Sequence, residues 1–203
     1  IRRTSSLLGC HAIVVVANLD SNPLVNGEGL HKLRASGIEV VSGILDKKGR
    51  NINKRFFTFV EKQRPYIILK WAETADGFVA RKNFESKWIS DDFSRQVVHK
   101  WRTEEDAVLV GMRTAQHDNP KLNVRDWTGR NPLRIVIDRF LKLSEMIHLF
   151  EGSQKTLCYN VIKHEERNNT SLIRVDEENF LENMIRDLYS RKILTIREYA
   201  MIM

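Results

Sequence analysis

Cysteine is nearly absent: Cys10 and Cys158 are the only two in 203 residues, with no CxxC pair and no histidine at ligand spacing. That excludes a disulfide framework and a zinc cluster, and leaves two buried thiols as the plain reading. Long apolar runs are missing too. The longest near the start, residues 12–17, is far too short to span a bilayer. Nothing before it has the basic, then apolar, then small-residue order of a secretory signal. A soluble, cytoplasmic protein without membrane association is the resulting expectation. There is also no GxGxxG, no P-loop, no Ser/His/Asp order and no cluster of metal ligands. The chain begins at Ile1 rather than Met, which reads as a fragment or a processed product.

What is present is an ordinary globular composition, 42% hydrophobic and 29% charged. The length suits one larger domain, or a small domain with part of another. A net charge of +7 and a pI near 9.5 point to an anionic partner such as nucleic acid, a dinucleotide or a sugar phosphate. The basic residues are scattered rather than gathered into an arm, which weakens the nucleic-acid reading.

Along the chain, HAIVVVA (11–17) reads as a strand and LDSNPLVNGEG as a loop. A short helical face follows, through Leu30 and Leu33 to Gly37, and IEVVSGI is a second strand. NINKRFFTFVEKQR reads as a helix leading into a linker before Pro65. From Tyr66, YIILKWA is a strand buried on both faces, closed by a turn at Thr74, Asp76 and Gly77. Ser90 is the expected cap of a helix whose core face is Phe93, Val97, Val98 and Trp101. AVLVG (107–111) is a strand, with Gly111 opening a loop that holds Thr114 and Asp118. LRIVID (133–138), KTLCYNV and SLIRV are further strands. Asp176 is the expected cap of a last helix with Phe180, Leu181, Met184, Ile185 and Leu188 as its apolar stripe. ILTI then begins a strand that REYAMIM ends abruptly. The alternation predicts an α/β fold with a mainly parallel sheet, and in such sheets ligands bind at the carboxyl ends of the strands.

Several segments in order, RPYIILKWAETADG, ESKWIS, HKWRTEEDAVLVG, RTAQHDNPKLNVR and GRNPLRIVID, closely resemble the reductase domain of the bifunctional deaminase/reductase of riboflavin biosynthesis. The resemblance covers residues 64–196. Residues 18–63, LDSNPLVNGEGLHKLRASGIEVVSGIL through NINKRFF, resemble the end of the deaminase half. It implies a dihydrofolate-reductase-like domain at 64–203, truncated at its C-terminus, preceded at 1–63 by a remnant of an α/β cytidine-deaminase-like domain and a linker. The deaminase zinc signature, H-x-E followed by P-C-x-x-C, is absent. Zinc and deaminase activity are therefore expected of a full-length parent and not of this chain.

Carried over residue by residue, the resemblance implies NADPH contacts at Ala72, Trp88, Thr114, Asp118 and Arg139, and substrate contacts at Ser86, Arg102, Leu122 and Arg125. Each has a plainer alternative. Ala72 is also a small residue under a turn, Trp88 a core aromatic, and Thr114 and Asp118 turn formers. Arg102 and Arg125 suit a doubly charged ribose phosphate, which planar guanidinium groups hold in bidentate fashion, but either also reads as a solvated cation. Ser86 would donate to the pyrimidine or phosphate, and Leu122 would offer its backbone or an apolar wall. Lys70 is the one charge in a buried strand, and so a candidate catalytic group or an outward-facing side chain.

The implied reaction is hydride transfer from NADPH to a phosphorylated ribosylaminopyrimidine, and the resemblance implies a homodimer. Family members also place an E-G-G turn after the strand that begins near Ile193, and ILTIREYAMIM lacks it. Its loss implies a missing substrate carboxylate and missing amides for the cofactor pyrophosphate. Two other readings stand beside this one: an NADP-binding fragment without turnover, and, ranked last, a basic nucleic-acid module.

Overall fold

The structure, a computed structural model, describes residues 12–25, 27–79, 81 and 89–199. It divides into two compact units, Ile1–Gln63 and Arg64–Met203. In the first, β1 (Ile13–Val16) pairs in parallel with β2 (Glu39–Ser42) through the crossover helix α1 (Glu28–Ala35). Gly37, at φ +76°, ends α1 in the left-handed conformation that glycine adopts freely, and Ile38 N–H bonds back to the Leu33 carbonyl at 3.1 Å. Helix α2 (Asp46–Ile52) precedes α3 (Lys54–Lys62). Arg50 of α2 grips both oxygens of Glu61 on α3, at 2.6 and 2.7 Å, and lies over the Phe57 ring. The sequence pattern shows α3 and misses α2, whose DKKGRNI has no apolar stripe to betray it.

The second unit holds β3 (Tyr66–Lys70), α4 (Asp92–Glu104), β4 (Ala107–Gly111), α5 (Met112–Asp118), β5 (Leu133–Ile137), β6 (Thr156–Asn160), β7 (Glu165–Arg167), β8 (Thr170–Arg174), α6 (Phe180–Ser190) and β9 (Thr195–Tyr199). The strands form one sheet in the order β3-β9-β4-β5-β6-β8-β7, with every pair parallel except β7 with β8. The mainly parallel α/β sheet is as expected. The central strands β4, β5 and β6 are largely apolar and buried because both faces are covered, whereas β3, expected to be buried on both faces, is an edge strand with Leu69 59% exposed. One face packs Leu109, Ile135, Leu157, Tyr159 and Ile173 against Phe180, Met184 and Leu188 of α6. The other gathers Val108, Val110, Val136 and Cys158 with Ala115, Leu122 and Leu149. Burial pushes the Cys158 thiol up to about 12, so it behaves as a small apolar side chain. Cys10 lies outside the described residues.

Other local expectations are corrected as well. The segment holding Thr114 and Asp118 is helix α5, not a loop, since the chain turns straight from β4 at Gly111 into helical residues with Ala115 buried. The α4 cap is Asp91, whose carboxylate accepts the Ser94 N–H at 2.7 Å, and Ser90 lies one residue outside. Phe93 is 72% exposed, and the residue that α4 buries is His99. Helix α6 starts after Asn179, at φ +55° and without a side-chain cap, rather than at Asp176; Leu181 of its expected stripe is 58% exposed.

The last strand also runs further than ILTI suggests. Arg197, Glu198 and Tyr199 continue β9, which lies inside the sheet between β3 and β4. Asp106 fastens it there. One carboxylate oxygen accepts the backbone N–H groups of Leu194 and Thr195 at 3.0 and 3.2 Å, and the other accepts from Arg130 at 2.8 Å. Arg197 is itself buried, paired with buried Glu105 at 2.9 Å and stacked on the Trp101 ring at 4.6 Å. No helix among the described residues is long and apolar enough to cross a membrane.

Candidate active site

The carboxyl ends of β3, β9, β4 and β5 place Lys70, Glu198, Gly111 and Asp138 along one edge of the sheet. Asp138 is buried and already committed: its carboxylate accepts the N–H groups of Lys142 and Leu143, at 3.0 and 2.8 Å, and so shapes the following turn. Glu198 lies in register between Leu69 and Leu109, and burial raises its pKa. The last strand thus carries a carboxylate near the site, although the E-G-G turn itself is absent.

Next to the sheet, α4 meets the 119–132 connection. Arg102 Nη1 donates to the Asn123 carbonyl at 2.8 Å. The His99 ring is buried between them: its Nδ1 accepts the Arg125 N–H at 3.3 Å, and its Nε2 lies 3.2 Å from the Asp126 carboxylate. Arg125 Nε is 3.5 Å from that same carboxylate. The connection comes this close to α4 because of Gly129. At φ +155°, its missing Cβ would fall 2.5 Å from the Thr103 methyl carbon.

The electrostatics follow from this packing. Burial, then Arg102 and Arg125, push His99 down from 6.5 to about 4, against the opposing pull of Asp126 and the Asn123 carbonyl. The imidazole is therefore neutral near pH 7, with its proton on Nε2. Lys70 is half-buried, and burial, Arg102 and Arg197 all lower its pKa. Arg102 is thus coupled to Lys70 on one side and, with Arg125, to the buried His99 ring on the other, a run of cations suited to an anion.

Of the residues singled out in the sequence, Lys70, Arg102 and Arg125 come together here. Leu122 adjoins them with its backbone at φ +52°, but its side chain is 2% exposed and belongs to the core, so only its backbone is available to a ligand. Ala72 is half-buried just beyond β3. Thr114 and Asp118 lie one turn apart on α5, each half-buried. Arg139 leans on the Phe180 ring, at 4.9 Å, and its Nη2 donates to the Glu177 carbonyl at 3.3 Å. Ser86 and Trp88 lie outside the described residues. Sequence reading missed His99, Asp126 and Gly129. The three-residue spacing of His99 and Arg102 on a helix was the available signal, since it puts both on one side.

Gly111 is a further open position, at the end of β4. Its φ is −77°, which any residue adopts, and nothing stands within 4 Å of where a Cβ would be. No internal contact requires glycine, so the open space lies toward whatever meets the end of β4. On the expectation, carried over from the resemblance, that NADPH binds at this edge, replacing Gly111 by Leu should leave the melting temperature within about 2 °C of the parent and weaken NADPH binding about tenfold, since a side chain there fills the approach to the backbone. Calorimetric titration beside a thermal melt checks both halves.

Residues 65–197 match the family model described as the RibD C-terminal domain. The chain belongs to this family. The riboflavin biosynthesis protein RibD of Aquifex aeolicus (strain VF5) is 48% identical over 131 residues, which is 64% of this chain and 37% of that protein. The RibD of Synechocystis is 33% identical over 193 residues, 91% of this chain and 52% of that one. The crystal structure of a diaminohydroxyphosphoribosylaminopyrimidine deaminase/5-amino-6-(5-phosphoribosylamino)uracil reductase from Thermotoga maritima superposes with a TM-score of 0.82 at 34% identity, covering 93% of this chain and 54% of that one. The chain thus spans between 37% and 54% of the length of these RibD relatives. Its seven-stranded sheet is the dihydrofolate-reductase-like architecture expected from the resemblance.

Proposed function

We propose that residues 64–203 are a pyrimidine reductase domain that uses NADPH to reduce 5-amino-6-(5-phosphoribosylamino)uracil to its ribitylamino counterpart in riboflavin biosynthesis. The observation that supports this reading is that Arg102 of a RibD-family reductase domain is coupled both to Lys70, at the end of β3, and, with Arg125, to the buried His99 ring. Residues 1–63 are then the closing part of a deaminase domain with its linker, and the full-length parent also deaminates the pyrimidine precursor at a zinc site of its own. The protein is cytoplasmic and works as a homodimer on this reading. Neither nucleic acid nor membrane is its partner.

The residues present fit the cofactor. Gly111 leaves the sheet edge open. The Thr114 hydroxyl and the Asp118 carboxylate suit ribose hydroxyls, Ala72 allows close approach after β3, and Arg139 is a cation at the end of β5. NADPH supplies the hydride. Arg102 and Arg125 hold the substrate phosphate and so set the sugar C1 at the reacting edge, which is the larger part of what a protein contributes here. As hydride adds to C1 of the ring-opened imine, the C=N electron pair moves to nitrogen and one proton completes the amine. Lys70 is the group placed to pass that proton, because burial and its cationic neighbours favour its release. The half-buried Glu198 accepts from the pyrimidine or the sugar hydroxyls.

A second reading, cofactor binding without turnover, is favoured by one observation: Glu198 of β9 is followed in the strand by Tyr199 and not by a glycine turn. Titration with NADPH against NADH, followed by turnover with the aminopyrimidine, separates the two. Preferential NADPH binding with consumption of NADPH supports the reductase, and tight binding without consumption supports the second reading. No binding by a well-folded chain overturns both.

A further inference from the structure

We infer that His99 is a positioning residue for substrate recognition, holding Arg125 in the phosphate-binding geometry through both its backbone and its side chain. The inference rests on the reading of Arg125 as a phosphate contact. The neutral imidazole faces two ways. Nδ1 accepts the N–H of Arg125 at 3.3 Å, which fixes the main chain at that residue. Nε2–H donates to Asp126 Oδ2 at 3.2 Å, and the same oxygen lies 3.5 Å from Arg125 Nε, which orients the guanidinium.

Arg125 and Asp126 are both about half exposed, with side-chain exposures of 49% and 51%, whereas the His99 ring is at 3%. An exposed arginine on a connection loses rotamer freedom only if something rigid holds it, and here the rigid element is the buried ring on α4. An apolar residue would serve packing as well. The two polar contacts are what a leucine could not supply.

The protonation state matters to this role. Protonation of Nδ1 removes the acceptor that the Arg125 N–H uses. Arg102 and Arg125 oppose a charge on the ring, and with burial they keep it neutral down to about pH 4. The cations that the ring positions thus also maintain its positioning form.

Calorimetric titration of the full chain tests this with two ligands, the phosphorylated ribitylaminopyrimidine product and its dephosphorylated form. The parent should prefer the phosphorylated ligand, and Arg125→Ala should lose that preference. His99→Leu should weaken the phosphorylated ligand about tenfold and leave the dephosphorylated one within twofold, as expected when a contact is misplaced rather than the pocket lost. His99→Asn, whose Oδ1 replaces the Nδ1 acceptor but does not reach Asp126, should restore part of the preference. In the double variant, His99→Leu should add nothing to Arg125→Ala. Equal weakening of both ligands by His99→Leu would mean a purely structural histidine and overturns the inference, as does full additivity. Should His99→Leu fail to fold, Asp126→Ala at an exposed position reads the same relay, and an unchanged preference there overturns it. If Arg125→Ala itself leaves the preference intact, the phosphate reading fails and the inference falls with it.

Discussion

Arg102→Ala should lower kcat/KM for the phosphorylated substrate by roughly 10²- to 10³-fold, the largest effect expected of any single site change here. The guanidinium makes two contributions. It offers a charged fork to the phosphate, where each charge-assisted bond contributes roughly 1.5–3 kcal/mol. It also donates to the Asn123 carbonyl at 2.8 Å, so its removal loosens the connection that carries Arg125. Arg102→Lys keeps the charge and loses the fork, and about tenfold of the deficit should remain. The pH profile gives a separate check. Arg102 is among the causes that lower the Lys70 pKa. Lys70 acts as a proton donor only while protonated, so activity declines as pH rises through its pKa. Removing Arg102 raises that pKa, and the alkaline limb should therefore move to higher pH. A variant with parental kcat/KM, or an alkaline limb that moves down, would refute the assignment of these cations to the site.

Much of the fold is legible in the sequence because buried parallel strands write themselves as continuous apolar runs. AVLVG and LRIVID coincide with β4 and β5 almost residue for residue. The errors fall where local signals compete with tertiary ones. Arg197, Glu198 and Tyr199 look like the end of a strand, because charge in a central strand is costly. Glu105, Trp101 and the Asp106 clamp offset that cost, and all three are remote in sequence from β9. Phe93 looks like core on helical spacing, yet α4 buries the face that holds His99, and a histidine in an apolar pattern carries no weight in periodicity. The site is legible only through the resemblance. Arg102 and Arg125 lie far apart in sequence and in unlike contexts, so nothing short of a shared pattern or a fold joins them. His99 opens the segment HKWRTEEDAVLVG, but nothing in the sequence gives it a role, which emerges from the geometry alone.

Arg134→Leu should cost the reductase unit about 3–5 kcal/mol, a large part of the roughly 5–15 kcal/mol that holds a domain together. Arg134 is the largest fully buried side chain, 1% exposed in the middle of the sheet on β5. Nε donates to the Thr156 hydroxyl at 2.9 Å, Nη1 to the His148 and Lys121 carbonyls at 3.0 and 3.4 Å, and Nη2 to the Gln154 carbonyl at 2.6 Å. Burial lowers its pKa, with Glu151 opposing. Replacing a buried charge by an apolar residue is often neutral when its partner is a side chain that can be replaced as well. Here the main partners are backbone carbonyls, which no substitution removes. The His148 and Gln154 carbonyls belong to half-buried residues, and each one left without a donor costs about 1–3 kcal/mol. Those carbonyls also close the 148–154 segment over one face of the core, so their release exposes Leu149 as well. The melting temperature should fall by about 10 °C or more. Arg134→Lys, with one charged donor group but no fork, should fall between the two. A leucine variant melting within about 2 °C of the parent would show that water satisfies those carbonyls and that the buried charge adds little net stability.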